Sequence, residues 1–599
     1  MDQSENQNRN RRVIIVKKKA KTGIDRFDEY VQKSGLEPKN YQREGVEFCL
    51  RRERRGDVAA PILGGIVADE MGLGKTIVMM GLILANLAAF RRTLIVVPVA
   101  LIAQWVAQIK KTIIDTGVKS DLTVFVYHGS TGKRRVILSD GGNDVVWCHR
   151  PPKCVGGVGG GARAIDIVIT TYGCVAMEEP AAVVRAPKAA PKTPTLSLLT
   201  FHADRVIFDE AHHLRNKSSR VFKGAMRLVG GGSGGRRPSV WIVTGTPIQN
   251  KISDLKSLCY VLGFGVCDLI TEEKRKMIRD QYVLRRTKVS VGMVADAAGD
   301  DSSVVVDGDV TCAPRLQSLA HYKSNVAWTS ENELDLSREI HRAAKNTTDR
   351  AERLKLYTRM RQMCVWPALL RRGGGGEDGG YDVTHGLSAD EFHVAVSKQS
   401  KMDQVVDRMM AEKGGEGGGV GGVGGGGVGG GEGRKSIVFC HYRREMTQLR
   451  DMLLRSGVVA EEDDVAIIDG TVGARERARI FAAAPKMLIL QIRTCSEGLN
   501  LQEYSDVYFV SPHWNPCVED QAIARCYRMG QTSQVRVFRF YMTDFVVEER
   551  SGAAGAGEID TERSGVVAGE SSECISTLDH KCEEIQERKR VLCNEFLLG

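Results

Sequence analysis

The sequence lacks any apolar run long enough to cross a membrane and any visible secretory signal. The apolar segment Ile77 to Phe90 is shorter than the ~20 residues that a membrane-spanning helix requires. The only apolar stretch near the N-terminus, Val13 to Val16, is too short for the core of a signal peptide. We therefore expect a protein that works inside the cell without membrane contact.

Paired cysteines are also missing. The 15 cysteines are scattered, are odd in number and form no Cys-x-x-Cys pair. Cys148, His149 and Cys154 form the only cluster that resembles metal ligands, and three candidates without a second pair do not complete a tetrahedral zinc site. The pattern predicts a reducing compartment and no structural zinc.

What the chain does have is the length and composition of a multidomain globular protein. Its 599 residues exceed what one core organises, and 42% apolar and 26% charged residues are globular values. The net charge of +10 is mild, but basic residues are concentrated near the N-terminus. They are Arg9, Arg11, Arg12, Lys17, Lys18, Lys19 and Lys21. Residues 1–35 are predicted to be a disordered basic tail, which is either simply solvated or acts as a nuclear address or a polyanion contact.

Short β-rich runs alternate with helical stretches over residues 36–290, a pattern typical of a parallel sheet covered by helices on both faces. The strand candidates are Thr93 to Val97, Thr123 to Tyr127, Ile165 to Thr170, Arg205 to Phe208 and Val240 to Val243. Predicted surface loops interrupt them at Gly156 to Gly161, Ala181 to Pro194 and Gly230 to Gly235. We assign these residues to a first α/β lobe.

The same alternation returns over residues 396–550 and predicts a second α/β lobe. Its strand candidates are Ser436 to Cys440, Val465 to Ile468, Met487 to Leu490, Val507 to Val510 and Val535 to Phe538. Residues 291–395 are assigned to an inter-lobe segment with a partly disordered insertion, and residues 414–433 to a flexible Gly-rich loop. A linker at residues 551–572 precedes residues 573–599, whose apolar positions share one face and predict a docking helix.

The segment Ile66 to Thr76 has the order of a phosphate-binding loop: an apolar strand, a glycine-containing turn, Lys-Thr and an apolar helix. In such a loop, backbone N–H groups and the positive helix N-terminus face the anion. Lys75 can then reach the outer phosphates, and the Thr76 hydroxyl can bind Mg²⁺. The full pattern has glycine where this chain has Asp69. From the local string alone, a glycine-rich helix start without a ligand is the alternative.

Asp209-Glu210-Ala211-His212 follows the candidate strand Arg205 to Phe208. Acidic residues at the C-terminal end of a buried strand lie where an α/β sheet binds its ligand. With Mg²⁺ and nucleotide bound, Asp209 would hold the metal through water, and Glu210 would orient and deprotonate the attacking water. An acidic helix N-terminus is the alternative. We interpret His212-His213 as polar coupling residues and not as a zinc pair.

Arg525 and Arg528 are three residues apart and would share one face of a helix in the second lobe. Two guanidinium groups suit the transition state of phosphoryl transfer, where they neutralise charge on the γ-phosphate. A solvated basic helix is the alternative. The apolar residues Ala522 to Ala524 favour a buried interface instead.

Five motifs occur in a defined order along the chain. They are Asp69 to Thr76, Asp209 to Asn216, Thr244 to Asn250, Leu284 to Lys288 and Gln521 to Gln531. Together they resemble the Swi/Snf family of helicase-like ATPases within the superfamily-two helicases. The resemblance covers about residues 36–290 and 396–550, and it makes Asp69 the family's own variant of the phosphate loop. Met360 to Cys364 is similar to the family's stretch between the lobes.

The resemblance implies two RecA-like lobes that bind ATP and Mg²⁺ in their cleft and track along double-stranded DNA without separating its strands. It implies that Gln42 recognises adenine and that Lys75, Asp209 and Glu210 carry out hydrolysis, with Arg525 and Arg528 completing the site. Nucleotide contacts are expected at Gln42, Asp69, Gly72, Gly74, Lys75, Thr76 and Gln521, and Mg²⁺ contacts at Thr76 and Asp209. Thr244, Gly245 and Thr246 would couple the nucleotide state to DNA. DNA contacts are expected at Pro98, Thr171, Tyr172, Gly498, Leu499, Asn500 and Trp514.

The chain also departs from the family pattern. Cys495-Ser496-Glu497 stands where the family usually has a Gly-Gly pair before Gly498, and Cys440-His441-Tyr442 is an unusual opening for the second lobe. Ser511 to Pro516 resembles the branch that contains DNA-repair translocases and a transcription-termination factor. The missing Cys-x-x-Cys pairs exclude the zinc RING insertion that repair members of this branch often carry.

The resemblance implies an ATP-dependent double-stranded-DNA translocase that remodels protein–DNA complexes. Its expected partners are double-stranded DNA and nucleosomes or other DNA-bound proteins. Its expected compartment is the nucleus if the source is eukaryotic, and otherwise the cell interior. The alternatives are a strand-separating DNA or RNA helicase and a DNA-binding scaffold that no longer hydrolyses ATP.

Overall fold

The computed structural model describes most of both lobes. The described residues are 21–54, 62–118, 122–129, 135–137, 165–178, 198–199, 201–230, 237–249, 251–269, 271–294, 316–370, 389–414, 434–495, 500–547 and 573–597. Several predicted features lie outside them: residues 1–20 of the basic tail, the three candidate zinc ligands, most of the predicted surface loops, the Gly-rich loop beyond residue 414, residues 496–499 and the linker at 551–572. Within the described ranges no helix is long and apolar enough to span a bilayer.

Seventeen α-helices are present in the described part of the chain. They are α1 (Gly23–Lys33), α2 (Asn40–Glu53), α3 (Lys75–Ala85), α4 (Ile102–Ile109), α5 (Tyr172–Met177), α6 (Arg220–Val229), α7 (Ile252–Leu262), α8 (Glu272–Tyr282), α9 (Glu331–Asn346), α10 (Arg350–Val365), α11 (Ala389–Ser397), α12 (Ser400–Gly414), α13 (Arg443–Arg455), α14 (Ala474–Ala483), α15 (Ile492–Cys495), α16 (Pro516–Cys526) and α17 (Leu578–Leu597).

The first lobe is built on an eight-stranded sheet in the order β4-β3-β5-β2-β6-β7-β1-β8. Its strands are β1 (Gly64–Val67), β2 (Thr93–Val97), β3 (Val124–Tyr127), β4 (Arg135–Ile137), β5 (Ile167–Thr171), β6 (Arg205–Asp209), β7 (Ser239–Val243) and β8 (Val283–Leu284). All neighbours are parallel except β3 and β4. Apolar clusters cover both faces, which explains why β2, β5, β6 and β7 are buried at every position.

The second lobe is built on a six-stranded parallel sheet in the order β11-β12-β10-β13-β14-β9. Its strands are β9 (Ala320–Val326), β10 (Ser436–Cys440), β11 (Val465–Ile468), β12 (Met487–Gln491), β13 (Asp506–Phe509) and β14 (Arg536–Met542). A small antiparallel pair, β15 (Phe545–Val547) and β16 (Glu573–Ile575), follows. Two parallel α/β lobes covered by helices confirm the fold class that the sequence predicts.

The structure corrects two predicted boundaries. The prediction of a disordered tail over residues 1–35 is wrong for its last part, because α1 is ordered and buries Phe27, Tyr30 and Val31 against the first lobe. Its N-cap, Thr22, accepts from the Asp25 N–H at 3.2 Å.

The prediction of a separate inter-lobe segment at 291–395 is also wrong. Strand β9 is an edge strand of the second sheet, and α9 to α11 belong to that lobe's core.

Helix α17 contacts both lobes. Leu578 and Cys582 pack into the core of the second lobe, whereas Leu592 and Cys593 pack against the core of the first. Near its start, Asp579 forms a buried ion pair with Lys401 of α12. The closing segment thus forms a helix that packs on both lobes and reaches across the cleft between them.

His341 of α9 joins α17 to the second lobe through its neutral ring. Its Nδ1 lies 2.8 Å from the Ser337 carbonyl oxygen, and its Nε2 accepts from the Leu578 N–H at 3.1 Å. This network assigns the single ring proton to Nδ1. A second proton on Nε2 would face an N–H donor, and burial lowers the pKa of His341 to about 4.

Acidification is expected to destabilise this attachment. An unfolded histidine titrates near pH ~6.5, so between that value and the folded pKa only the unfolded chain takes up a proton, and stability falls by up to ~3 kcal/mol. At higher pH the ring is neutral in both states, and the effect vanishes. In His341→Gln, the side-chain carbonyl can still accept from Leu578, so this part of the pH dependence should be lost. Urea unfolding of both proteins at neutral and mildly acidic pH measures it, and equal pH dependence would contradict the assignment.

Candidate functional site

The phosphate loop predicted from the sequence connects β1 to α3. Strand β1 is fully buried, and α3 begins at Lys75 directly after Gly74, whose φ of 80° is left-handed. The left-handed φ favours glycine, and a Cβ atom here would lie 2.4 Å from Gln42 Nε2 and so would displace that side chain. Gly72, Gly74 and Thr76 line an adjacent cavity. The helix N-terminus and the turn thus form a concave wall of the kind that binds anions.

Lys75 is held in this turn by backbone carbonyl groups. Its Nζ donates to the carbonyl oxygens of Asp69 at 2.9 Å and Glu70 at 3.3 Å. Burial lowers the pKa of Lys75, and the nearby carboxylates of Glu210, Asp69 and Asp209 oppose that shift. Because neutral carbonyls are its hydrogen-bond partners here, the ammonium can exchange them for the oxygens of an anion in the cavity.

Asp209 and Glu210 stand at the C-terminal end of β6. Three hydrogen bonds hold Asp209 in place. The Trp105 indole N–H donates to its carboxylate at 2.8 Å, and the Glu210 backbone N–H donates to the same carboxylate at 3.0 Å. The Tyr172 hydroxyl donates to its backbone carbonyl oxygen at 2.6 Å. Glu210 has a left-handed φ of 48°, which turns the chain sharply at the strand end. Its Oε2 lies 3.4 Å from His212 Nδ1.

The two carboxyl groups have pKa values shifted in opposite directions. Burial and the charge of Glu210 raise the pKa of Asp209. Burial alone would also raise the pKa of Glu210, but the His212 ring, Lys75 and Arg525 lower it overall. These neighbours therefore favour the charged form of Glu210, in which the carboxylate can orient a water molecule by accepting its hydrogen bond.

Arg525 and Arg528 reach the same cavity from the second lobe. Arg525 lies in the last turn of α16, and Arg528 follows its end. Both line a cavity of about 500 Å³ whose other walls include Lys75, Asp209 and Glu210 of the first lobe. A Cβ atom on Gly72 would lie 3.6 Å from Arg528 Cβ, so the two lobes touch at the phosphate loop. The arginine pair faces the cleft and is not the solvated basic helix that was the alternative.

Nine of the residues predicted for the nucleotide site line this cavity: Gln42, Gly72, Gly74, Lys75, Thr76, Asp209, Glu210, Arg525 and Arg528. Asp69 and Gln521 do not. The Asp69 carboxylate is buried and paired with Arg286, whose Nε lies 3.1 Å from Oδ1, and its nucleotide contact stays a prediction. The side chain of Gln521 is buried in the second lobe at 4% exposure, and its nucleotide contact also stays a prediction.

The segment Thr244 to Thr246, predicted to couple nucleotide to DNA, lies where the lobes meet. Thr246 donates its backbone N–H to Thr244 Oγ1 at 3.2 Å. A Cβ atom on Gly245 would lie 2.8 Å from Met71 Cγ, so the segment packs against the phosphate loop. Just beyond it, the Ile248 carbonyl lies 3.9 Å from the Sγ atom of Cys517 on α16. The segment thus touches both halves of the site, and its coupling role stays a prediction.

The structure separates the residues predicted to bind DNA. Thr171 and Tyr172 are 2% and 5% exposed. The Thr171 side chain caps α5 and the Tyr172 hydroxyl holds Asp209, so both are engaged within the lobe, and their DNA contacts stay a prediction. Pro98 is buried beside the exposed Val99, and Asn500 is exposed. Trp514 is half-buried with the Arg361 guanidinium 4.8 Å from its ring centroid. Gly498 and Leu499 lie outside the described residues.

Sequence reasoning missed three supporting side chains. Trp105 fixes the Asp209 carboxylate, Arg286 neutralises Asp69, and Lys288 pairs with Glu70 at 3.1 Å. The two cations lie inside the motif Leu284 to Lys288, so their position in a recognised motif was a usable signal. Trp105 lies in a plain amphipathic helix, and nothing in its local sequence marks it.

Comparison with known proteins agrees with this geometry. Residues 41–290 match the SNF2-related domain, and residues 429–530 match the helicase conserved C-terminal domain. Two α/β lobes that enclose a phosphate loop, an acidic pair and an arginine pair define a helicase-like ATPase. The chain belongs to the SWI2/SNF2 family of these enzymes and is a DNA-dependent ATPase, which confirms the resemblance inferred from its motifs.

Individual relatives are distant. The chain is 24% identical over 529 residues to the "Probable global transactivator" of Orgyia pseudotsugata multicapsid polyhedrosis virus, covering 84% of this chain and 86% of that protein. It is 26% identical to chromodomain-helicase-DNA-binding protein 9 of Mus musculus over 86% of this chain but only 16% of that protein. Among solved structures, the Sulfolobus solfataricus SWI2/SNF2 ATPase core in complex with dsDNA aligns with 18% identity and a TM-score of 0.31, covering 85% of this chain and 88% of that one.

Proposed function

We propose that the chain is a double-stranded-DNA translocase of the Swi/Snf type, which uses ATP hydrolysis to remodel protein–DNA complexes. The observation that carries the proposal is the composite cavity. Lys75, Thr76 and Glu210 come from one lobe and Arg525 and Arg528 from the other, so the site is complete only while the lobes are held together. A ligand that binds the closed arrangement better than the open one shifts the lobes toward closure, and hydrolysis releases them.

The residues in the cavity suit the phosphates of ATP. The Gly72–Gly74 turn and the start of α3 would cradle the phosphates, and Lys75 would bind the outer ones. Glu210 would orient the attacking water and accept its proton. Arg525 and Arg528 would neutralise charge on the γ-phosphate as it transfers. The Gln42 carboxamide, which donates to the Leu73 carbonyl at 3.2 Å, stands at the edge of the turn where the adenine would lie.

The oxygen ligands for Mg²⁺ are also present. The Thr76 hydroxyl and the Asp209 carboxylate line the same cavity, and oxygen donors of this kind are those that Mg²⁺ prefers. When bound with ATP, the ion would offset negative charge on the β- and γ-phosphates. Trp105 would keep Asp209 oriented for that contact through its 2.8 Å hydrogen bond.

Binding to DNA is expected to use the phosphate backbone and to be independent of sequence and sensitive to salt. Of the predicted contacts, Asn500, Trp514 and the exposed turn after Pro98 remain candidates. A nuclear location, and nucleosomes or other DNA-bound proteins as the moved complexes, are part of this proposal. The chromodomain relative and the basic residues near the N-terminus support it.

The test is ATP hydrolysis measured in parallel with duplex DNA, single-stranded DNA, RNA and nucleosomes, together with strand displacement on a forked duplex. We expect duplex DNA to stimulate hydrolysis most, displacement of a third strand from a triplex, and no separation of the fork. Lys75→Ala, which removes the phosphate contact, should abolish the stimulated rate. Fork separation would establish the strand-separating helicase instead. DNA binding without any hydrolysis would establish the scaffold.

A further inference from the structure

Lys288 is a buried lysine that lies between the lobes and outside the nucleotide cavity. Its side chain is 6% exposed, and its Nζ lies 3.1 Å from Glu70 Oε1. Its backbone N–H donates to the other oxygen of the same carboxylate, Glu70 Oε2, at 2.7 Å. Glu70 belongs to the phosphate loop, and the Glu70 N–H in turn donates to the Arg286 carbonyl at 2.8 Å. Lys288 is thus attached to the phosphate loop through both its side chain and its backbone.

The same ammonium also contacts the second lobe. Lys288 Nζ lies 4.4 Å from the ring centroid of Tyr527, a cation–π distance. Tyr527 is 5% exposed and directly precedes Arg528 in the chain. One cation therefore joins a carboxylate of the phosphate loop to the aromatic ring beside the arginine that enters the cavity.

The packing around Gly72 shows how close these groups are. A Cβ atom on Gly72 would lie 3.5 Å from Lys288 Cε and 3.6 Å from Arg528 Cβ. The apolar stem of Lys288 and the base of the Arg528 side chain therefore both lie beside Gly72 of the phosphate loop.

We propose that Lys288 is a positioning residue for ATP hydrolysis, which sets Arg528 against the phosphate loop by linking Glu70 of the first lobe to Tyr527 of the second. The contact forms only when the lobes are together, so it stabilises the arrangement in which the arginine faces the γ-phosphate. The inference rests on the proposed function, because it assigns Lys288 a role in the same reaction. Misplacement of a catalytic group by about 1 Å can cost up to 10²-fold in rate, so a residue that never touches ATP can still control turnover.

The test compares three variants by kcat and KM for DNA-stimulated ATP hydrolysis and by the affinity for a fluorescent ATP analogue. Lys288→Met keeps the apolar stem but removes the charge, and we expect kcat to fall about tenfold with KM changed by less than about twofold. Lys288→Arg keeps a cation that can pair with Glu70 and stack on Tyr527, and it should recover most of the rate. Analogue affinity should stay near the wild-type value throughout.

Lys435→Met is the matched control. Lys435 Nζ lies 3.0 Å from Glu503 Oε2 and 5.9 Å from the Tyr504 ring centroid, so it makes the same two kinds of contact within the second lobe alone. We expect this variant to hydrolyse ATP at the wild-type rate. A fall in kcat equal to that of Lys288→Met would overturn the proposal, since loss of any such cation would then explain the effect.

A further arm tests the Tyr527 contact. Lys288→Met and Tyr527→Leu each remove the same contact between the ammonium and the ring. If Lys288 acts through that ring, the double variant should have the same kcat as Lys288→Met alone. Additive losses would overturn the link. Wild-type hydrolysis with an unchanged kcat in Lys288→Met would refute the positioning role while leaving the proposed function intact. No hydrolysis by the wild type under any condition would refute the proposed function itself.

Discussion

Replacing Arg528 by alanine is expected to lower kcat for ATP hydrolysis by about 10³-fold or more while ATP binding stays close to the wild-type level. The guanidinium lines the cavity opposite Lys75 and Glu210, and it belongs to the lobe that does not carry the phosphate loop. Charge on the transferring phosphoryl group is greatest in the transition state, so a preorganised cation there lowers the barrier more than it strengthens binding of ATP. The measurement is the rate of phosphate release together with the affinity for a fluorescent ATP analogue.

Two control variants accompany this prediction: one keeps the positive charge at position 528, and the other removes an arginine elsewhere in the same lobe. Arg528→Lys keeps a positive charge but loses the planar fork that can contact two phosphate oxygens, so an intermediate rate is expected. Arg479→Ala removes an arginine of the same lobe that is 79% exposed and pairs with Glu476 three positions earlier, and it should leave the rate unchanged. Wild-type turnover in Arg528→Ala would remove this arginine from the reaction.

Replacing Glu53 by glutamine is expected to destabilise the first lobe by about 3–5 kcal/mol, a large part of a typical stability of about 5–15 kcal/mol. Glu53 and Arg205 form an ion pair with no solvent exposure, joined by two hydrogen bonds of 2.7 and 2.5 Å. The carboxylate also accepts from Trp241, Ser239 and Asn86 at 2.8–3.0 Å. Burial alone would raise the pKa of Glu53, but Arg205, Trp241 and Asn86 lower it overall. Loss of the charge leaves the Arg205 guanidinium buried without a counterion.

The destabilisation can be measured as a shift in the urea midpoint, followed by far-UV circular dichroism and by tryptophan fluorescence. Trp241 contributes to that fluorescence and lies in β7 beside Glu53. The double variant Glu53→Leu with Arg205→Met replaces the pair by apolar side chains and should recover much of the loss. Equal destabilisation of the double and single variants would show that packing, and not the unpaired charge, is responsible.

The two lobes and the phosphate loop could be predicted from the sequence because short runs of neighbouring residues mark them. Strands such as β2 and β6 are short β-branched or aliphatic runs ending at turns, and burial on both faces makes that composition necessary. The turn before Lys75 favours glycine at Gly74, because its φ is left-handed. Such requirements are written in adjacent residues and need no knowledge of the rest of the fold.

Other features could not be derived from neighbouring residues. Strand β9 is polar and largely exposed on its edge, and only pairing with β14, more than two hundred positions later, makes it a strand. Helix α1 follows a basic run and is ordered because Phe27 and Tyr30 pack on the first lobe. Thr171 and Tyr172 resemble DNA-binding positions in sequence, but their hydroxyl groups are used within the lobe.

The sequence by itself determined the class of this protein, because the chemistry of phosphate binding requires particular residue types at fixed short spacings. The tertiary structure alone decided which of those residues share a cavity. It turned Asp69 toward Arg286 and buried Gln521, brought Arg525 and Arg528 to the phosphate loop, and placed Lys288 between Glu70 and Tyr527. The reason is physical: charge pairing and contact between lobes depend on distances in space, and residues far apart in the chain carry no local mark of them.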